Sequence, residues 1–242
     1  MTRAKPELAE LLRHDDPREL PAYTIADASH FLNIPATTIR AWVKGQEYAL
    51  SGDRKRRFRR VIELPQRNSN LLSFYNLAEA HVLRFLRDYH GISLPAVRAA
   101  LDYVRNEFGW KRPLIQQQFR TDGAALFVER LGKLVEASAG GQQVMRKILE
   151  DHLDRIEWEH SLAARLYPFT RQSVADAPRT VMIDPRFAFG RPVLISSRVA
   201  TAVVADRYKA GESIDSLASD YGCPRLEIEE GIRCELRLQS AA

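Results

Sequence analysis

The sequence predicts a mainly α chain with short β-hairpins: a larger N-terminal unit followed by a small β-hairpin/three-helix unit at the C-terminus. Three observations carry this. Apolar residues recur at helical spacing through most of the first 168 residues. A strand–loop–strand pattern follows directly on two short helices near residue 45. After a polar stretch at about 169–179 that holds Pro178, two short apolar strands precede three short helices. The chain has 242 residues, 45% hydrophobic and 28% charged, enough for a real core in one large domain or two modest ones. Neither cysteine, Cys223 or Cys234, belongs to a CxxC pair, which suggests a reducing compartment and no metal site. The first twenty residues have no apolar run of the kind a secretion signal needs, and no apolar stretch approaches ~18 residues. A cytoplasmic location without membrane association is therefore expected.

The elements can be justified in order. Residues 1–22 are charged and interrupted by Pro6, Pro17 and Pro21, a short helix and a loose lead-in. From Tyr23, Ile25, Ala28, Phe31 and Leu32 fall on one helical face, with Thr24 and Asp27 spaced as a capping box. Three residues later a second short helix buries Ile39 and Val43, keeps Trp42 at its edge and ends at Gly45. Strands at 48–50 and 58–64 would flank a loop at 51–57 with Gly52 in the turn. Helices follow at about 75–89, with Ala78, Val82, Leu86 and Tyr89 inward, and at 94–108, capped by Ser93. QQQFRTDGAALFVE reads as a hairpin turning at Asp122 and Gly123, and 142–165 as one long amphipathic helix. In the tail, TVMID and PVLIS are strands around an FGRP turn; helices at 199–210, 213–221 and 224–237 are separated by Gly211 and Gly222. The expected division is 1–22 lead-in, 23–168 larger domain, and 178–238 small domain.

The first helix pair is where the chemistry concentrates. Two short helices joined by a tight turn form a helix-turn-helix outline, which alone is weak. The second helix, however, offers small residues, hydroxyls and cations on its outer face: Ala36, Thr37, Thr38, Arg40 and Lys44. Such a face can enter the major groove and reach bases and phosphates. The following SGDRKRRFRR sets Arg54, Lys55, Arg56, Arg57, Arg59 and Arg60 against Asp53, a net of +5 in ten residues. That equals the formal charge of the whole chain, so the charge is clustered, between two expected strands, where a wing would lie along the duplex backbone. The candidate DNA-binding residues are thus Thr37, Thr38, Arg40, Lys44, Arg54, Lys55, Arg56, Arg57, Arg59 and Arg60.

YTIADASHFLNIPATTIRAWVKG, with its wing and LSFYNLAEAHVLRFLRDYHGISLPAVRAAL, resembles the MerR-like winged helix-turn-helix class over about 23–108. The chain has neither the cysteine loop of a metal sensor nor an aromatic drug chamber, which argues against an inducer-sensing role. The tail, MIDPRFAFGRPVLISSRVATAVVADRYKAGESIDSLASDYGCPRLEIEEGIRCEL, resembles over 181–236 a small bacterial domain found in antitoxins paired with PIN-domain ribonuclease toxins, the VapBC arrangement. The pairing of head and tail resembles antitoxins of that type. This resemblance implies a protein that neutralises such a toxin and represses its own operon. The alternative is a stand-alone MerR-like regulator whose tail only dimerises or senses a signal.

The tail also contains a second helix-turn-helix outline, 213–221 with 224–237. Between Glu212 and Glu235 there are seven acids and two bases, a net of −5, which phosphates would repel. A structural or protein-binding role is expected there, with a solvated acidic face as the plainer alternative; the toxin-contact surface is not legible. Lone hairpins are marginal in water, so pairing of TVMID or PVLIS across a two-fold would give a homodimer. Enzymatic readings fail. His14, His30, His81, His90, His152 and His160 are scattered, and His152 and His160, on one expected helix, are eight residues apart, too far for a ligand pair. FGRP does not resemble a phosphate-cradling loop, and Ser196, Ser197 and Ser213 lack a nucleophile-elbow context. No cofactor is expected.

Overall fold

The structure, a computed structural model, describes residues 16–49, 55–66, 69–88, 92–171 and 177–236. It is mainly helical, with three two-stranded antiparallel sheets among the described residues. Helix α1 (Ile25–Leu32) and α2 (Ala36–Lys44) lead into the hairpin of β1 (Gln46–Ala49) and β2 (Lys55–Phe58). Then come α3 (Phe74–Leu83), α4 (Phe85–Asp88) and α5 (Leu94–Phe108). A π-helical turn (Phe119–Gly123) runs into α6 (Ala124–Leu134), followed by α7 (Ala139–Leu153) and the hairpin of β3 (Ile156–Glu159) and β4 (Leu162–Leu166). The tail consists of β5 (Val181–Met182), β6 (Val193–Leu194), α8 (Thr201–Lys209), α9 (Ile214–Tyr221) and α10 (Arg225–Leu236).

Helix α3 is the axis of the main core, with all ten of its residues buried. Ser73 and Asn76 close a capping box at its start, and Asn76 also donates to the Glu63 carbonyl at 2.8 Å. A helix apolar on every side has to be surrounded, and this one packs against α1, α4, α7 and β4. The Ser93 cap of α5 forms as expected, by accepting from the Ala96 amide. The single helix expected at 75–89 is divided at Arg84, whose guanidinium donates to the Leu32 carbonyl at the end of α1 (3.1 Å). Tyr89 lies outside the described residues.

Two sequence expectations are overturned. The hairpin at Asp122 and Gly123 is helical instead. Phe119, Gly123, Phe127 and Leu131 are all buried at four-residue spacing, so the period is that of a helix. Gly123 is there for packing: a Cβ would stand 2.7 Å from the Phe119 ring and 2.9 Å from Trp110. The long helix expected at 142–165 ends at Leu153, and the chain turns back as β3 and β4, with His160 and Ser161 at φ 50° and 65° in the tight turn. The i, i+4 run Met145, Leu149, Leu153 stops there, and the aromatic and branched residues Ile156 and Trp158 follow at strand spacing.

The tail strands pair in the register Val181↔Leu194 and Met182↔Val193, and the three expected helices form close to their expected bounds. Val181, Leu194, Val204, Leu217, Ile228 and Ile232 make a second cluster that also buries both free cysteines. Tail and head are in direct contact. The Tyr23 hydroxyl donates to the Gly190 carbonyl (3.1 Å, buried). This explains the glycine of FGRP: its φ is +74°, and a Cβ there would lie 2.1 Å from the Tyr23 oxygen. Arg191 pairs with Asp27 at 3.1 Å, and His30 meets Glu235 at 2.9 Å. Both ends of the stretch read as a linker are packed: Phe169 is buried, and Arg155 donates to the carbonyls of Ala177 and Pro178.

Candidate nucleic-acid interface

Helix α1 starts on the capping box that the sequence predicts. Thr24 accepts from the Asp27 amide at 3.0 Å, and the Asp27 carboxylate accepts from the Thr24 amide at 2.9 Å. This bonding, together with the Arg191 cation, holds the Asp27 carboxyl below its ordinary range against the opposing effect of burial. The helix ends at Asn33 in the left-handed conformation (φ 53°), which asparagine tolerates better than most residues. Ser29 clamps the turn by donating to the Ile34 carbonyl at 2.7 Å, and Pro35 starts α2 with its fixed φ.

Helix α2 buries Ile39, Trp42 and Val43. Trp42, expected at the edge, is only 2% exposed and belongs to the main core. The opposite face carries Thr37, Arg40 and Lys44, all exposed and spaced i, i+3, i+7, with Thr38 part-buried beside them. Gly45 ends the helix at φ 77°, and the chain enters β1 at the next residue.

The hairpin pairs Gln46↔Phe58, Glu47↔Arg57, Tyr48↔Arg56 and Ala49↔Lys55. Lys55, Arg56 and Arg57 therefore belong to the second strand, not to the loop before it. That strand stops at Phe58 instead of running to residue 64, because the amides of Val61 and Ile62 bond to the Trp42 carbonyl (2.7 and 3.0 Å). The return from the hairpin is thus tied to the last turn of α2. Arg54 lies outside the described residues; Arg59 is exposed and Arg60 part-buried.

Sequence reasoning missed Arg98 and Arg105. They lie seven residues apart on α5 and line one cleft with Lys44, Arg59 and Arg60. Their seven-residue spacing on the polar side of an amphipathic helix is the signal the sequence offers.

The second helix-turn-helix outline is built differently. Helix α10 is buried through Glu227, Ile228, Glu230, Gly231, Ile232 and Cys234. Its acids are engaged within the fold: Glu227 accepts from the Ser196 amide at 2.7 Å, Glu230 pairs with Arg171 at 2.7 Å, and Glu235 bonds His30 and Thr201. Asp215 and Glu229 pair with Arg225, and Glu212 and Asp220 with Arg207.

Among the described residues no helix is long and apolar enough to cross a membrane, and no group of three or more His, Cys, Asp or Glu side chains is placed to hold a metal ion.

Comparison with known proteins matches both ends of the chain. Residues 21–101 match a family model described as "Putative DNA-binding HTH domain", and residues 181–233 one described as "Protein of unknown function (DUF433)". The "Putative antitoxin VapB45" of Mycobacterium tuberculosis is 29% identical over 221 residues, covering 84% of this chain and 89% of that protein. A second protein of the same organism, "Uncharacterized protein Rv2308", is 20% identical, covering 87% and 88%. The crystal structure of Rv2018 from M. tuberculosis superposes with a TM-score of 0.62 at 25% identity, covering 88% of this chain and 98% of that one. None of these descriptions names an enzyme. The chain is thus similar at its N-terminal end to a helix-turn-helix family described as putatively DNA-binding and at its C-terminal end to DUF433, and it is a distant relative of a protein named as a putative antitoxin.

Proposed function

We propose that this chain is the antitoxin of a type II toxin–antitoxin pair, which binds operator duplex to repress its own operon and neutralises a PIN-domain ribonuclease. The observation that carries the DNA half is the exposed Thr37, Arg40 and Lys44 face of α2, beside a hairpin whose second strand is Lys-Arg-Arg-Phe. In this reading Arg40, Thr37 and Thr38 reach base edges, Lys44 a phosphate, and Arg54, Lys55, Arg56, Arg57, Arg59 and Arg60 the duplex backbone as a wing. The toxin half is supported by the name of the relative that shares most of the chain's length. The chain works as a homodimer, in units of 23–168 and 178–238 behind a charged lead-in. A stand-alone regulator of the MerR-like class is the second reading, favoured by the extensive packing of tail on head through Tyr23, Asp27 and His30.

Co-expressing the full chain with the product of its neighbouring reading frame, then footprinting the complex on the upstream duplex, separates the two. The antitoxin reading expects a co-purifying protein, protection of an inverted repeat with half-sites about 10 bp apart or a multiple, and operator affinity that changes with the ratio of the two proteins. Protection with no co-purifying partner selects the stand-alone regulator.

A further inference from the structure

A cleft of about 790 Å³ opens between the last turn of α2, the segment leaving β2, and α5. Its cations come from three separate elements: Lys44, Arg59 and Arg60, and Arg98 with Arg105. Among the described residues only two acids line it, Glu63 and Asp102, and Asp102 is already paired with Arg105 at 2.6 Å. Its floor is apolar, with Val43 and Leu101 buried and Leu64 part-buried.

Arg98 is the unusual member. One of its terminal nitrogens is buried and has no hydrogen-bond partner among the described residues. Burial, reinforced by the neighbouring Arg59 and Arg105 cations, holds its guanidinium below the ordinary arginine range, and Asp102 offsets this only in part. Folded proteins rarely leave a buried N–H unpaired, and crowded guanidinium groups repel one another; a multiply charged anion would relieve both.

We propose that this cleft binds a phosphorylated small molecule of nucleotide size, its phosphates among Arg59, Arg98 and Arg105 and its apolar part on Leu101 and Leu64. The volume lies within the range of small-molecule sites, about 300–1,000 Å³. A phosphodiester of the duplex backbone needs neither that volume nor an apolar floor. The ligand class is neither a metal nor an apolar drug, so the absence of a cysteine loop and of an aromatic chamber does not bear on it. Because Lys44 ends the outward face of α2 and Arg59 follows the wing, occupancy would act on the reading head directly. The site itself does not depend on the DNA reading, since binding is measurable without DNA.

The test is calorimetric titration of the full chain with ADP, inorganic pyrophosphate and adenosine in about 150 mM salt, where weak surface attraction is screened. ADP is expected to bind saturably at one site per chain, pyrophosphate more weakly, and adenosine not at all. Arg98→Gln should weaken ADP about tenfold or more, as removal of a charge-assisted hydrogen bond requires. Arg105→Gln should also weaken it, whereas Arg146→Gln, on the exposed face of α7, should leave it unchanged. ADP affinity within twofold of wild type in both cleft variants, or no ADP binding by wild type, overturns the proposal. If ADP fails to bind while Arg98→Gln lowers affinity for a short duplex, the cleft receives a backbone phosphate instead, and the proposal is equally overturned. Pyrophosphate binding as tightly as ADP would remove the role of the apolar floor and with it the nucleotide-sized ligand.

Discussion

The chain contains the same outline twice, and the two copies have opposite fates. In α1–α2 and in α9–α10 a short capped helix is followed by a left-handed turn residue, Asn33 or Gly222, and a second helix. Helix α2 buries one face and leaves Thr37, Arg40 and Lys44 in solvent. Helix α10 is gripped by α8 and by α1, and half of its residues are buried. Two helices and a tight turn therefore specify a packing unit and nothing more. What turns one of them into a candidate reader is an exposed face with hydroxyls and cations. What withdraws the other is that its polar side chains are consumed by the fold.

The largest expected effect separates the two helices by binding. Arg40→Ala should relax sequence preference, at about 1–3 kcal/mol for the preferred site. Neutralising Arg56 and Arg57 together should weaken all duplexes alike and make the slope of log K against log salt shallower by about 0.9 for each phosphate left without its cation. The matching change in α10, neutralising Arg225 and Arg233, should leave affinity and slope as they were. Fluorescence anisotropy across a salt series reads all three. An unchanged slope in the wing variant would remove the hairpin from the interface.

Much of this comparison was legible in the sequence. The capping residues Thr24 and Ser93, the clustered +5 of SGDRKRRFRR and the acidity of 212–235 all appear as short-range patterns. The acidic run pointed away from DNA for a sound reason, charge, yet the structure supplies a stronger one. Glu227, Glu230 and Glu235 have partners 31, 59 and 205 residues away, and no local pattern announces pairs at such separations. The same blindness hid Arg98 and Arg105, whose companions Arg59 and Arg60 belong to another element. It also hid the end of α7, where an apolar run reads equally well as helix or strand until its hairpin partner is known.

The second effect should fall on stability alone. Glu227 is 3% exposed and accepts the Ser196 amide at 2.7 Å, which ties the start of α10 to the turn after β6. Glu227→Ala would leave that amide without its acceptor, a cost of about 1–3 kcal/mol. Urea denaturation should show this as a lowered midpoint, while duplex affinity of the folded fraction stays the same. A variant that abolished DNA binding with stability unchanged would make α10 part of the reader after all and dissolve the contrast between the two pairs.

The smallest effect per step distinguishes what supports each pair. Beneath the first lies a buried histidine pair: His81, on α3, donates from Nε2 to the His152 carbonyl at 3.1 Å, and Phe169 stacks on its ring. Burial, then His152 and the nearby Arg84 and Arg155 cations, hold His81 well below the usual histidine range, so it is neutral in the folded chain. Once unfolded it would titrate near its ordinary value of about 6.5. Below that value the unfolded chain binds the extra proton, so stability falls as pH drops, by up to about 1.4 kcal/mol per pH unit, until the folded group itself titrates. The cluster beneath α9–α10 consists of aliphatic residues and the two cysteines, with no histidine in it. Between pH 7 and 5.5, above the range where the carboxylates protonate, denaturation midpoints should therefore fall, and hydrogen-exchange protection, corrected for the intrinsic rate, should drop in α3 and α7 more than in α9 and α10. His81→Gln keeps a donor for the His152 carbonyl and carries no titrating group, so it should flatten the pH dependence. If the slope persisted in that variant, the acid sensitivity would not belong to the buried histidine pair, and this contrast between the two supports would fall.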